Sequence, residues 1–245
     1  MSNASAASYF EQYAVNYADW TRGSRAFGER LAVFDKLMDR FRPASGQHGI
    51  CVDLGCGNAA LGSRAAARGF EVIAIDGSEQ MLALAKREQD ARGPRGDARI
   101  HDFRHAQLPL DAGLVDELRG RVDLIIASSV LEYLNEADTG EVLGQCAQLL
   151  RPRGWALTSF PNRQAVYWRA LRLIGDMRML RGRTAGVQLR QWTPGQVRDL
   201  ALARGLTLDS VEYFALPFQD HLGSFAPGRP VWLATLFLAV LSAAR

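Results

Sequence analysis

At 245 residues, 48% hydrophobic and 22% charged, the chain is long enough for one large α/β domain or two small ones, with ample material for a core. A formal net charge of +3 is too small to argue for nucleic acid on charge alone. The three cysteines, Cys51, Cys56 and Cys146, are odd in number and lack paired metal spacing, so reduced thiols and no metal site are expected.

No charged-then-apolar leader pattern opens the sequence, which together with the cysteines points to the cytoplasm. Residues 8–42 carry helical periodicity: Tyr9, Phe10, Tyr13, Tyr17 and Trp20 recur at three and four, as do Leu31, Phe34, Leu37, Met38 and Phe41. Pro43-Ala44-Ser45-Gly46 breaks the pattern. The organising stretch follows. An apolar run, Ile50-Cys51-Val52-Asp53-Leu54, enters the turn Gly55-Cys56-Gly57, a helix spans 61–68, and a second run, Val72-Ile73-Ala74-Ile75, ends in Asp76 and Gly77. Strand, tight turn, helix and strand make the first βαβ unit of an open parallel sheet, with a nucleotide-like ligand at the strand ends. Gly55 and Gly57 permit backbone angles closed to other residues, and Asp76 is placed to accept both hydroxyls of a ribose. Two guests suit this geometry. Gly55-x-Gly57-x-x-Ala60 loosely fits a dinucleotide fingerprint, whereas Asp53 would repel a pyrophosphate and favours a cation with an amino group and a sulfonium.

Beyond that unit, Ser78 is an N-cap for a helix over 79–89, and 91–97 is a loop. A short strand is expected over 98–101 with Asp102-Phe103 at its end, then a short helix or loop over 108–120. Residues 122–129 form a strand apolar enough to be buried on both faces, followed by Val130-Leu131-Glu132-Tyr133-Leu134. A helix over 142–150 leads to a strand over 155–160. In 161–193 arginines alternate with aromatic and aliphatic residues, which fits a solvated basic helix face, a substrate lid or a peripheral contact with an anionic membrane. Nucleic-acid binding is not expected there, because it calls for a larger basic excess. A helix over 195–204 and strands over 206–216 and 232–241 end the pattern, with Asp220-His221 in the connection. The uncharged stretch 231–244 falls short of the roughly 18–20 residues of a membrane span.

The run Val52-Asp53-Leu54-Gly55-Cys56-Gly57 resembles motif I of the class I S-adenosylmethionine-dependent methyltransferases, with Ala59 and Ala60 where a third glycine usually stands. Ala74-Ile75-Asp76-Gly77-Ser78-Glu79-Gln80-Met81-Leu82 is similar to the family's next motif. Val130-Leu131-Glu132-Tyr133 resembles its post-strand motif, often written Leu-Glu-His, and Leu150-Arg151-Pro152-Arg153-Gly154 its helix–turn–strand hallmark. The resemblance runs over residues 45–160. It implies a doubly wound, mostly parallel α/β sheet of seven strands with an antiparallel edge hairpin and helices on both faces. It also implies one methyltransferase domain over residues 1–245: a helical lid (8–42), a cofactor-binding core (45–160), a substrate-recognition insertion (161–193), and a last helix with edge strands (194–245).

On the same resemblance, S-adenosylmethionine is the cofactor. Tyr13 and Tyr17 reach it from the lid, Asp53, Gly55, Cys56 and Gly57 form the turn beneath it, and Asp76 and Gly77 hold the ribose. Met81 and Phe103 pack on adenine, Asp102 accepts its amino group, and Ser128 and Val130 line the methionine part. The partner is a small-molecule methyl acceptor, by default at oxygen, with nitrogen and carbon open. Transfer rests on proximity and orientation in an in-line displacement. Tyrosine titrates near 10 when unperturbed, so Tyr133 is expected to orient by hydrogen bonding, and His221, beside Asp220, is the candidate base. The other readings are an NAD(P)-dependent oxidoreductase and a non-catalytic S-adenosylmethionine-binding protein. Oligomeric state is not legible.

Overall fold

The computed structural model describes residues 4–44, 48–91, 99–174, 189–215 and 231–244. Seven strands form one sheet in the order β3-β2-β1-β4-β5-β7-β6. They are β1 (Gly49–Leu54), β2 (Phe70–Asp76), β3 (Asp102–His105), β4 (Val122–Ala127), β5 (Leu150–Pro161), β6 (Leu206–Phe214) and β7 (Leu236–Ala243). The pairs β1–β2, β2–β3, β1–β4 and β4–β5 are parallel, while β7 runs antiparallel to both β5 and β6. The doubly wound sheet with an antiparallel edge pair is therefore the fold observed. The chain's path reverses between β1 and β4, the place in such sheets where ligands bind at the carboxyl ends of the strands.

Side chains alternate along each strand, so the sheet feeds two separate cores. On one face Cys51, Val72, Ala74, Leu124, Ile126, Leu157 and Val240 pack against α2 (Arg25–Arg40), α3 (Ala60–Ala66) and α4 (Glu79–Ala91). On the other, Val52, Leu54, Ile73, Ile75, Ile125 and Phe237 pack against α5 (Ala112–Leu118), α6 (Glu136–Leu149) and α8 (Pro194–Leu202). α1 (Ala4–Gly23) lies on α4, where Ala14 and Ala18 bury Met81 and Leu84. Arg68 joins Asp35 and Asp39 at 2.9 and 2.8 Å, fixing α2 on α3. α7 (Val166–Ile174) follows β5, with Trp168 buried and its Nε1 donating to the Thr235 carbonyl at 3.2 Å.

Several boundaries depart from the sequence reading. β3 begins at Asp102 and not at 98, because the Ile100 N–H is taken by Gln89 Oε1 at 2.7 Å and regular pairing starts with Asp102 opposite Ile73. α6 starts at Glu136 and not at 142, since Asn135 caps it by accepting the Asp138 N–H at 2.9 Å. α1 begins at Ala4, inside the first seven residues that periodicity left out. No helix among the described residues is long and apolar enough to cross a membrane.

Candidate active site

Three connections converge at the carboxyl ends of β1, β2 and β4. After β1 the chain turns through Gly55 (φ +64°) and Gly57 (φ +55°), a left-handed region that side chains disfavour. At Gly55 the constraint is also steric, because a Cβ there would lie 2.4 Å from Cγ2 of Val130. Val130 thus packs directly on the glycine turn from the loop after β4. Gly57 is roofed by Tyr17 of α1, whose ring and hydroxyl would stand 3.6 Å from an added Cβ. Burial pushes the Tyr17 phenol up to about 12, so it contributes surface and a hydrogen bond and not a proton.

Asp76 ties the turn together. Its Oδ2 accepts the Gly57 N–H at 2.8 Å and its Oδ1 the Ser78 N–H at 2.9 Å. Each carboxylate oxygen has two acceptor sites, so both retain capacity for a hydroxyl. Burial raises its pKa, while those two N–H bonds and His105 pull it down and Glu11 pushes it up. Ser78 caps α4, accepting the Met81 N–H at 3.1 Å, and donates to Glu11 Oε2 at 2.6 Å. Asn58 Nδ2 donates to Glu88 Oε2 at 3.2 Å. α1 is therefore bonded to the rim of the site through Glu11.

Asp53 plays a different part from the one its sequence position suggested. It is only 2% exposed, and its Oδ2 accepts the Gly62 N–H at 2.9 Å, capping α3, whose own N-cap, Ala59, offers no side-chain bond. Burial pushes Asp53 up to about 7, with the Gly62 bond lowering it and Asp76 raising it. It works inside the turn, where burial keeps it protonated to a higher pH than an exposed carboxylate. Cys56 is likewise buried, its thiol pushed well above the ordinary range by burial and by Asp76 and Asp53. That makes it filler and not a nucleophile.

Two of the residues expected at adenine lie short of the ligand end of their strand. Asp102 opens β3 opposite Ile73, three positions short of the level of Asp76, and its Oδ2 accepts Arg104 Nε at 2.6 Å. Its strand's ligand end is instead His105, opposite Asp76, followed by Ala106 and Gln107. Phe103, opposite Ala74, packs into the core face with Lys86 Nζ 5.6 Å from its ring centroid. Gly77 sits at that end: its carbonyl accepts Gln107 Nε2 at 3.0 Å and lies 3.1 Å from His105 Nε2. Met81, 2% exposed, spends its surface on α1 and not on an open pocket.

The loop after β4 carries the rest. Ser128 Oγ is buried without a hydrogen-bond partner among the described residues. Ser129 holds φ +54° and donates its N–H to Ser159 Oγ at 2.9 Å, a strained backbone of the kind that marks functional sites. Leu131–Tyr133 forms one 3₁₀ turn, in which Tyr133 is half-buried and Glu132 is buried. Tyr13 lies on α1 with its side chain outside the described residues, and His221 lies outside them altogether.

The sequence reading missed three charged residues. Glu132 Oε2 and Arg30 Nε are both buried without a partner among the described residues, and the charge of Arg30 reaches both Tyr17 and Glu132. Glu11 is the third. Glu132 was in plain view inside the post-strand motif, but Arg30 and Glu11 sit on helices whose pattern advertises only packing.

A family model described as "Methyltransferase domain" matches residues 52–156. Among curated relatives, the ubiquinone biosynthesis O-methyltransferase of Rhodopseudomonas palustris (strain HaA2) is 31% identical over 157 residues, 60% of this chain and 54% of that protein. The one from Caulobacter sp. (strain K31) is 30% identical over 204 residues, 83% of this chain and 66% of that protein. The chain thus spans between about half and two thirds of the length of the curated relatives it matches. Among solved structures, the magnesium protoporphyrin IX methyltransferase of Synechocystis PCC 6803 with bound SAH superposes with a TM-score of 0.66 at 17% identity, covering 96% of this chain and 97% of that one. With the motif-I turn, the ribose-level acid and the seven-stranded sheet in place, the chain belongs to the class I S-adenosylmethionine-dependent methyltransferases.

Proposed function

We propose that this chain transfers a methyl group from S-adenosylmethionine to an oxygen of a small-molecule acceptor. The observation that carries the reading is Asp76, clamped to the glycine turn by the Gly57 N–H at 2.8 Å and keeping acceptor capacity on both oxygens. A ribose with two adjacent hydroxyls is the natural occupant. The residues fit the rest of the cofactor. Val130 packs on Gly55 and Tyr17 lies over Gly57, and Arg30, its Nε lacking a hydrogen-bond partner among the described residues, suits a carboxylate. Glu11 and Asp76 suit the positive charge of an ammonium and a sulfonium.

The cofactor, when bound, supplies an already activated methyl group. The protein's part is to align the acceptor in line with the bond to be broken and to keep water out, so orientation carries most of the rate. Oxygen is favoured because the curated relatives are named as O-methyltransferases. Any membrane contact is read as peripheral, at the start of α7, where Arg163 just before the helix and Val166 and Arg169 within it are exposed. An NAD(P)-dependent reading gains no support from the family model and the curated relatives, which are methyltransferases.

Calorimetry tests this reading. S-adenosylhomocysteine should bind and NADH should not, and the reverse result rejects it. Binding without turnover across a broad acceptor screen would leave a non-catalytic binding protein.

A further inference from the structure

The loop after β4 holds a polar cluster that the fold leaves unused. Glu132 is 5% exposed, yet its Oε2 has no hydrogen-bond partner among the described residues. Ser128 Oγ, on the same loop, and Arg30 Nε, on α2, share that condition. The Ser129 side chain and the residue's own backbone N–H bond to the Glu132 carboxyl, so the open position is Oε2 alone, and a buried acceptor left open costs free energy unless something else supplies the bond. The cluster also lies beside the methyl-donor site. Val130, two residues before Glu132, packs on Gly55, and Arg30 acts on both Glu132 and Tyr17, the residue roofing Gly57.

We propose that Glu132 receives the acceptor itself, taking the hydrogen bond of its hydroxyl on binding and the hydroxyl proton during transfer. The acceptor class is therefore a neutral phenol-type hydroxyl and not a carboxylate, which a buried acid would repel. This rests on the methyltransferase reading above and narrows it. The step balances. As the new oxygen–carbon bond forms, the carbon–sulfur bond of the donor breaks and its electron pair cancels the sulfonium charge. The hydroxyl proton passes to the Glu132 carboxylate, which later releases it to water. A methyl ether, a neutral thioether and a neutral acid remain.

The surroundings suit the role. Burial pushes Glu132 up to about 7, with Arg30 and the Ser129 side chain lowering it, and a base is most useful near the operating pH. Arg30 is the one charged group whose field is resolved at Glu132 among the described residues. Arg190, whose main-chain N–H donates to the Glu132 carbonyl at 2.8 Å, turns its guanidinium to Glu136 at 3.3 Å. From β5, Ser159 is engaged with the Ser129 N–H.

The test compares wild type, E132Q and E132D. With S-adenosylhomocysteine bound, calorimetry is run with catechol and with benzoate as probes. Wild type should prefer catechol, and E132Q should lose about tenfold on catechol while gaining on benzoate. In turnover with labelled S-adenosylmethionine on a panel of phenols and matched carboxylic acids, E132Q should lose on the order of 10²- to 10⁴-fold in kcat. The acidic limb of its kcat/KM profile near pH 7 should vanish, and E132D should regain part of the rate. Phenol turnover by E132Q within threefold of wild type, benzoate preferred by wild type, or no phenol methylated at all would each overturn the proposal. S-adenosylhomocysteine uptake is read separately, so the cofactor reading can stand while this one falls. Were E132Q unable to bind it, E132D alone decides, through the probe preference.

Discussion

Asp76 links the two halves of the site through single hydrogen bonds, so its removal separates affinity from folding. In Asp76→Ala the Gly57 and Ser78 N–H groups lose their acceptor and the ribose loses its own. S-adenosylhomocysteine affinity should fall by about 1.5–3 kcal/mol, the range for hydrogen bonds to a charged group, as read by calorimetry on folded protein. Asp53 makes the opposite kind of test. Its folded pKa, about 7, lies above the ordinary carboxylate value, so the native state holds a proton that the unfolded chain has released. Stability from this group is therefore greatest below the unfolded pKa, near 4, and declines as pH rises toward 7. Asp53→Asn keeps an acceptor for the Gly62 N–H and removes the charge. Denaturant midpoints should show the variant gaining on wild type at pH 8 and matching it at pH 4. A gain equal at both pH values would mean that charge is not the issue. This also explains what the sequence misjudged at the position. An acid two residues before a glycine turn announces negative charge, but only the burial of β1 beneath α3 shows that its carboxylate is taken up by the Gly62 N–H.

At the scale of elements, the sheet was legible because hydrophobic runs and turn residues alternate cleanly from Ile50 to Phe160. The antiparallel edge pair came from the family resemblance, while Ser78 was legible as a cap from local rules. Where the reading slipped, the competition was between side chains and backbone: Gln89 takes the Ile100 amide and delays β3, which moved Asp102 and Phe103 away from the ligand end. Arg30 and Glu11 stayed hidden because their roles depend on how α1 and α2 cross the strand ends, which no spacing in sequence encodes. The glycine turn and the loop after β4 form one packed unit, and this is testable. Gly55→Ala meets Val130 Cγ2 at 2.4 Å and also forces a side chain onto φ +64°. The left-handed conformation alone costs roughly 1–2 kcal/mol. Adding Val130→Ala should relieve the clash and leave that conformational cost. The double variant should melt above Gly55→Ala and below wild type, with cofactor affinity following in the same order. Full restoration would mean the backbone angle carries no strain, and no restoration would mean the two loops are not in contact.

Across the whole molecule the charge is unevenly spread. The chain carries a net +3, yet Glu11, Asp53 and Asp76, from three different elements, gather at the carboxyl ends of β1 and β2. Asp53 is pushed up to about 7, chiefly by burial, and Asp76 is raised as well. A cation entering there stabilises the ionised forms and lowers those values, so its binding releases protons wherever the pH lies between the bound and free pKa. By linkage, affinity must then climb with pH up to about 7 and flatten above it. The sulfonium of S-adenosylmethionine carries a positive charge that the thioether of S-adenosylhomocysteine lacks. The two ligands share every other group, so their affinity ratio isolates the response to that charge. The ratio should rise in favour of S-adenosylmethionine from pH 5.5 to pH 8. Because the acids are largely buried, it should change little with added salt. Parallel affinity profiles for the two ligands would show that these acids organise the turns and cap the helices without discriminating the guest by its charge.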